Sequence, residues 1–261
     1  MRTDGEKMPK YLFVLSPPYS GSTVLWKLLG TSPNVSRFPK EGQMLPEVQH
    51  LMRPDAWNPN KQLAWKEIKA AWNARWNQQK LIHIEKSPPN LVRADRLEEQ
   101  FSPAYFIAIV RDPYAYSEGY ARRESAPIAE AVDSWITRVT ILEDQLSNLQ
   151  NTLLLTYESL TQDPLAACQK MLDFMPQLKN LRHNSLFVCH SIAGRRARKL
   201  TNFNDAKIAQ LTKQDFEVIR SALLPHKELV ERFGYRTERH RIASNTNLGL
   251  LDRWRLRMRA A

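Results

Sequence analysis

The chain has 261 residues, 43% of them hydrophobic, and carries a net charge of +11. That apolar content is enough to bury one core, which favours a single domain, and no apolar run approaches the ~18–20 residues of a membrane span. The first ten residues are polar and charged, so a secretory leader is not expected. The two cysteines, Cys168 and Cys189, have no metal-ligand spacing with any histidine. Two buried free thiols are predicted rather than the alternative, a disulfide, and a cytoplasmic location is expected.

The whole of the net charge comes from the last third of the chain. Residues 1–178 carry 20 basic and 20 acidic side chains, whereas residues 179–261 carry 18 basic and 7 acidic ones. A one-sided basic region is typical of proteins that bind an anionic partner, such as a nucleotide, a nucleic acid, a lipid surface or an anionic substrate. A solvated face that keeps the protein soluble would have the same composition. The densest cluster is Arg195–Lys199.

The first elements of the chain predict a phosphate site. Tyr11–Leu15 is a run of five apolar residues and predicts a buried strand, the loop Ser16–Thr23 is rich in small residues, and Val24–Leu29 predicts a helix. Unpaired N–H groups and the positive end of the dipole converge where such a helix begins, and together they bind anions. The loop of nucleotide hydrolases has a Lys after its second Gly, but here Ser22 follows Gly21. We therefore expect a P-loop-like phosphate cradle without the usual NTPase machinery.

Strands and helices alternate along the rest of the first 160 residues. Apolar segments predict further strands at Leu81–Ile84, Tyr105–Val110 and Thr152–Thr156. Helical patterns lie between them, at Lys61–Gln79, Leu91–Gln100 and Ile128–Leu149. This alternation predicts an α/β fold, namely a single three-layer domain with a short central parallel sheet flanked by helices.

The second half is predicted to be different in kind. Pro164–Tyr235 is expected to be mainly helical, with clear helices at Asp205–Gln210 and at Phe216–Phe233, the latter interrupted at Pro225. Arg236–Ala261 is expected to be a flexible segment that ends in a short basic helix. The tryptophans of the first half recur at helical spacing, which indicates core packing more often than a substrate platform; they are Trp65, Trp72 and Trp76.

Ligands of parallel sheets bind at the carboxyl ends of the strands, where this chain places polar residues. Arg111 directly follows the strand Tyr105–Val110, and an arginine held there can clamp a phosphate with two hydrogen bonds. Arg122 and Arg123 follow on the next helix and would suit a second phosphate. Arg122 also lies four residues after Glu118, so a surface ion pair is the alternative.

At these strand ends the chain resembles the sulfotransferases that use 3′-phosphoadenosine 5′-phosphosulfate (PAPS). Leu15–Thr23 resembles their 5′-phosphosulfate loop, and Ile109–Pro113 their 3′-phosphate motif. Three further segments resemble family motifs in the correct order: Glu85-Lys-Ser-Pro88, Leu155-Thr-Tyr-Glu-Ser-Leu160 with Asp163-Pro164, and Phe233-Gly-Tyr235. The resemblance implies a sulfotransferase domain over residues 10–235 and a basic C-terminal tail over residues 236–261.

The resemblance also implies a reaction. PAPS would give its sulfonate, without a metal, to a hydroxyl or amine of a small-molecule, carbohydrate or peptide acceptor, leaving 3′,5′-phosphoadenosine (PAP). Negative charge builds on the leaving oxygen, so donors aimed at it lower the barrier. The attacking hydroxyl must lose a proton, which requires a base, and in-line positioning supplies much of the rest.

The family motifs assign roles to individual residues by resemblance. The implied cofactor-binding residues are Tyr19, Ser20, Gly21, Ser22 and Thr23 at the 5′-phosphate, Arg111, Gly119 and Arg123 at the 3′-phosphate, Tyr157 at the adenosine, and Ser191 and Lys199 from the C-terminal half. Lys86 is implied as the cation that touches the sulfonate, although an exposed lysine before a Pro-Pro turn is the simpler interpretation. The two cysteines, His190 and His226 are taken as structural.

The general base has two candidates. Glu41 follows the first helix, as a catalytic Glu does in related enzymes, but a loop carboxylate paired with Lys40 or Arg37 is the alternative. His83 is the competitor because a neutral imidazole titrates near the working pH. The alternation of residues 80–85 points His83 to the side of Leu81, which indicates a sheet face rather than the crevice.

Two positions depart from the family pattern. Relatives usually have Lys or Arg where this chain has Tyr19, so Lys86 or Lys27 must compensate, or the enzyme is slow. The 3′-phosphate Ser of the family lies eight residues after the Arg, which is Gly119 here; Ser117 lies about 200° away around a helix and need not contact the cofactor.

Two other functions fit parts of the sequence. A nucleotide-dependent kinase with a degenerate loop is disfavoured, since no Lys follows Gly21 and no acidic Mg²⁺ ligand ends an apolar strand. A basic module that binds nucleic acid or another anion would explain the charge. However, no recognition helix, zinc motif or RNP motif supports it, and nucleic acid is not an expected partner.

Overall fold

A five-stranded parallel sheet forms the centre of the protein. In the computed structural model, which describes residues 8–239, the strands are β1 Lys10–Leu15, β2 Val35–Arg37, β3 Ile82–Glu85, β4 Ala104–Val110 and β5 Thr152–Thr156. Their order in the sheet is β2-β3-β1-β4-β5, with every neighbouring pair parallel. The predicted α/β fold is therefore confirmed. The prediction missed β2, since three residues are too few to show a pattern.

Helices cover both faces of this sheet. Their bounds are α1 Ser22–Leu29, α2 Gln49–Met52, α3 Trp65–Arg75, α4 Ala94–Gln100, α5 Pro113–Glu124, α6 Ile128–Asn148, α7 Tyr157–Gln162, α8 Pro164–Phe174, α9 Asn204–Ile208, α10 Lys213–Leu223 and α11 Lys227–Arg232. Short 3-10 helices occur at Gly42–Met44, Pro88–Arg93 and Leu224–His226. The last of these separates α10 from α11, which confirms the predicted interruption at Pro225.

Alternating side chains of the strands supply two separate cores. Tyr11, Phe13 and Leu15 of β1 face a core built with α3, α4, α5, α6 and α10. The intervening residues, Leu12 and Val14, face a second core built with α1, α7 and α8. This is the alternation that the pleat of a strand imposes.

The tryptophan stripe belongs to the first core, as predicted. Trp72 is fully buried and Trp76 is almost so, whereas Trp65 at the start of α3 is partly buried. The helix itself is shorter than the predicted Lys61–Gln79. It ends before Trp76, whose backbone is extended, because the chain there turns toward β3.

The prediction for Pro164–Tyr235 was wrong in one respect. This region contains an antiparallel hairpin, formed by β6 Phe187–Ser191 and β7 Gly194–Arg198. Its second strand has the sequence Gly-Arg-Arg-Ala-Arg, which lacks the apolar alternation of a half-buried strand. The hairpin forms from backbone pairing, from contact with α1 and from the burial of Phe187 in the second core, and the polar sequence of β7 gives no local sign of it.

The chain remains packed beyond Tyr235. The Tyr114 hydroxyl donates a hydrogen bond to the carbonyl oxygen of Thr237 over 2.8 Å, and Arg239 pairs with Asp112. The predicted basic helix lies in residues 240–261, outside the described residues. No helix within residues 8–239 is both long and apolar enough to cross a membrane.

Candidate functional site

A cavity of about 390 Å³ opens at the carboxyl edge of the sheet. Four adjacent strands, β3, β1, β4 and β5, end beside it, and each is followed by a polar or aromatic residue of the lining or by the phosphate loop. Nearly all of the predicted site residues line this cavity, namely Tyr19, Gly21, Ser22, Thr23, Glu41, Lys86, Arg111, Gly119, Arg123, Tyr157, Ser191 and Lys199. Ser20 does not. This residue of the loop is fully buried.

The loop between β1 and α1 has a tightly constrained backbone. Tyr19 and Gly21 both have left-handed conformations, with φ of 63° and 95°. A Cβ atom on Gly21 would lie 2.6 Å from a ring carbon of Tyr157, so both the backbone and the space require glycine. α1 begins at Ser22, and the first N–H groups of a helix have no acceptor within it. The loop can therefore present backbone donors to an anion in the cavity.

Lys86 lines the cavity and is not an exposed lysine. Its side chain is 5% exposed, it forms an ion pair with Glu41, and its ammonium donates to Thr23 Oγ1 over 3.3 Å. One cation thus connects the phosphate loop to the carboxylate proposed as the base. The partner of Glu41 is Lys86 rather than Lys40 or Arg37.

The buried carboxylate of Glu85 holds the loops of Glu41 and Lys86 together. One of its oxygens accepts hydrogen bonds from the Gly42 N–H over 2.7 Å and from Ser87 Oγ over 2.6 Å, and the other accepts from Asn90 Nδ2. Burial raises the pKa of Glu85 to about 7. The sequence indicates Glu85 only as part of a motif, because the contact that joins the two loops comes from Gly42, 43 residues away.

Arg111 is buried against Tyr157 on the other side of the loop. Its guanidinium lies 3.8 Å from the centre of the Tyr157 ring, its Nε donates to Asn204 Oδ1 over 2.8 Å, and its Nη1 donates to the Tyr19 carbonyl oxygen over 3.3 Å. Burial lowers the pKa of Arg111, an effect that Tyr157 and nearby carboxylates oppose. Nη2 is buried and has no hydrogen-bond partner in the described chain, and the residue lines the cavity.

A hydrogen-bond network around the carboxylate of Glu158 holds Arg111 in place through Asn204. Glu158 accepts hydrogen bonds from Asn204 Nδ2, from the N–H of Asp112 over 3.1 Å and from the Tyr235 hydroxyl over 2.7 Å. Asn204, in turn, holds Arg111. The Y-E and F-G-Y segments of the sequence therefore meet at one point, although they lie 77 residues apart.

The two arginines of α5 were predicted either to contact a second phosphate or, for Arg122, to form a surface ion pair. Arg122 forms the ion pair with Glu118 over 2.6 Å, four residues away, and it also lines the cavity. Arg123 lines the cavity from an exposed position. Ser117 is buried, with its hydroxyl bonded to the Pro113 carbonyl oxygen over 2.7 Å, and does not line the cavity.

Tyr19 does not take over the role of a cation. Its hydroxyl donates to Glu124, and burial together with that carboxylate raises its pKa above the ordinary tyrosine value. Lys27 does not line the cavity, and its ammonium donates to the Val188 carbonyl oxygen of β6. Of the two proposed substitutes for the family's Lys or Arg, Lys86 alone lines the cavity.

The hairpin forms the outer wall of the cavity. Its inward face carries two arginines that sequence reasoning did not assign, Arg196 and Arg198, and the register places Arg196 opposite Cys189. Cys189 and His190, which the sequence analysis takes as structural, line the cavity as well. Both cysteines are free thiols, but Cys189 is only half-buried, contrary to prediction. The basic cluster Arg195–Lys199 was the sequence feature that could have indicated this wall of the cavity.

His83 lies on a sheet face, away from the cavity. Its ring stacks on Trp76 with 5.0 Å between ring centres, and burial lowers its pKa. The prediction of a sheet face was correct, but Leu81 packs with the opposite core because it precedes the strand. Glu41 is therefore the candidate base that the cavity contains.

The family of the chain follows from comparison with known proteins. Residues 9–176, well over half of the chain, match the model of the sulfotransferase family. The chain belongs to the sulfotransferase family, and the class of reaction is sulfonate transfer. No curated protein matches the sequence.

Two solved structures share the fold. One is the sulfotransferase domain of the olefin synthase from Synechococcus PCC 7002, which is 22% identical with a TM-score of 0.51 over 90% of this chain and 98% of that one. The other is a sulfotransferase from Alicyclobacillus acidocaldarius, which is 12% identical with a TM-score of 0.54 over 86% and 95% of the two chains.

Proposed function

We propose that this protein is a PAPS-dependent sulfotransferase that acts by in-line transfer, without a metal, on a hydroxyl or amine of an acceptor. The observation that carries the proposal is that three anion-binding or catalytic features meet in one cavity at the sheet edge. A helix-start anion loop, the Lys86–Glu41 pair and the partly unsatisfied fork of Arg111 all border it. A doubly phosphorylated adenosine with a terminal sulfonate has matching groups for all three.

The donor would lie along the cavity from β3 to β5. Ser22 and Thr23 would contact the 5′-phosphate, with Gly21 allowing close approach of the backbone. Tyr157 would border the adenosine, and Arg111 would bind the 3′-phosphate through its guanidinium. The hairpin would cover the nucleotide through Arg196, Arg198, Ser191 and Lys199.

The Lys86–Glu41 pair would perform the chemistry. The acceptor oxygen attacks sulfur as the bond from sulfur to the bridging phosphate oxygen breaks, and that oxygen gains negative charge. Lys86 would stabilise this charge and the sulfonate, since a buried cation acts strongly there. Glu41 would take the proton of the acceptor hydroxyl. Before the reaction, the ion pair between the two residues would open to admit the acceptor and the sulfonate.

Calorimetry with PAP tests the proposal most directly. The full chain should bind PAP with micromolar affinity in the presence of EDTA, and ATP with Mg²⁺ should bind more weakly. The absence of heat at saturating PAP would overturn the proposal, and Mg²⁺-dependent binding of ATP alone would favour the kinase interpretation. Incubating a cell extract with the enzyme and labelled PAPS, followed by mass spectrometry, would then identify the acceptor.

A further inference from the structure

Lys207 lines the cavity, a position that the sequence does not predict for it. It comes from α9, is only 5% exposed, and its ammonium lies where a side chain at position 119 would begin. A Cβ atom on Gly119 would overlap the Lys207 ammonium. Only glycine at position 119 leaves room for the lysine in this position.

The ammonium has few partners for a buried cation. It donates to the Ala115 carbonyl oxygen over 3.2 Å, and the nearest oxygen of Glu118 is 3.7 Å away. Arg122 pairs more closely with the other oxygen of Glu118, over 2.6 Å. An ammonium has three donors, and burying a charge is costly unless it is well paired. The long ion pair with Glu118 and one carbonyl oxygen leave a donor for an anion in the cavity.

We propose that Lys207 is a specificity-determining residue for the donor, and that its ammonium, seated over Gly119, binds the 3′-phosphate beside Arg111. This inference rests on the proposed function. It also accounts for the departure of Gly119 from the family pattern, because the contact that a serine hydroxyl of α5 would make is replaced by a cation from α9.

The charged groups around Lys207 make this contact dependent on pH. Burial, first, and then Arg111 lower the pKa of Lys207 to about 7, with Arg122 adding to the effect and Glu118 opposing it. Near pH 8, the Lys207 side chain is therefore uncharged in much of the free protein. A phosphate dianion favours the charged form, so binding should draw a proton onto Lys207.

The first experiment compares PAP with adenosine 5′-phosphate, which lacks the 3′-phosphate. Lys207→Met should weaken PAP binding on the order of tenfold to a hundredfold, the usual effect of losing a charge-assisted contact, and change adenosine 5′-phosphate binding by less than about twofold. Gly119→Ala, which displaces the ammonium without removing it, should show the same selective loss. Lys213→Met, at an exposed position, is the matched control.

Proton uptake provides a second readout. At pH 8, calorimetry in buffers of different ionisation enthalpy should show that PAP binding takes up protons in the wild type and less in Lys207→Met. Unchanged PAP affinity and equal uptake in a folded Lys207→Met variant would overturn the inference. If the wild type does not bind PAP at all, the proposed function fails instead.

Discussion

The roles of Lys86 and Arg111 can be separated by two substitutions. Lys86→Met keeps the length of the side chain but removes a buried cation that touches both the phosphate loop and Glu41. Loss of a single donor to developing charge usually lowers kcat by ~10²–10³, or about 2.7–4 kcal/mol of transition-state stabilisation. PAP affinity should fall by less than about fivefold, because PAP lacks the sulfonate.

Arg111→Lys should have the opposite effect. The lysine keeps the charge but loses the planar fork that Asn204 and Tyr157 hold in place. We expect PAP affinity to fall by ~10–100-fold, with kcat at saturating PAPS changed by less than about threefold.

Calorimetry with PAP and steady-state kinetics on the identified acceptor measure both parameters for each variant. Lys40→Met, beside Glu41 but exposed, is the control for a nearby change of charge. Proportional losses of kcat and of PAP affinity in both variants would refute this division of roles.

Three further predictions concern stability. The pKa of Glu85 is raised to about 7, so its contribution to stability is full below about pH 4.5 and is lost as the pH rises through 7. The Tm of Glu85→Gln relative to the wild type should therefore increase from pH 5 to pH 8. A difference in Tm that stays constant with pH would contradict this. Gly21→Ala combines a left-handed φ with overlap on Tyr157, whereas Gly234→Ala has a φ of 80° and no neighbour within 4 Å. Gly21→Ala should thus cost more than the ~1 kcal/mol expected of Gly234→Ala in urea unfolding; equal losses would show that the overlap is relieved. Trp72→Ala should destabilise by about 3–5 kcal/mol, as expected for a core position, and a loss of acceptor affinity without a loss of stability would instead indicate a substrate platform.

The amino-acid sequence alone determined those parts of the site that depend on local chemistry. A strand, a loop of small residues and a helix start lie within about 20 consecutive residues, so the pattern near Gly21 predicts an anion site without further information. Arg111 is equally local, because an arginine that directly follows a buried parallel strand must lie at the carboxyl edge of the sheet. The alternation of strands and helices predicted the layers for the same reason.

Tertiary structure decided everything that depends on contacts between distant segments. The burial of Lys207 beside Gly119 and the attachment of Glu85 to Gly42 join residues 88 and 43 positions apart. The hairpin that brings Arg196 to the cavity pairs through its backbone, and backbone hydrogen bonds carry no signature in side-chain pattern. For Lys207 and Glu85 the physical reason is burial: the fold removes each from water and gives it specific partners, whereas in the unfolded chain both side chains are simply solvated.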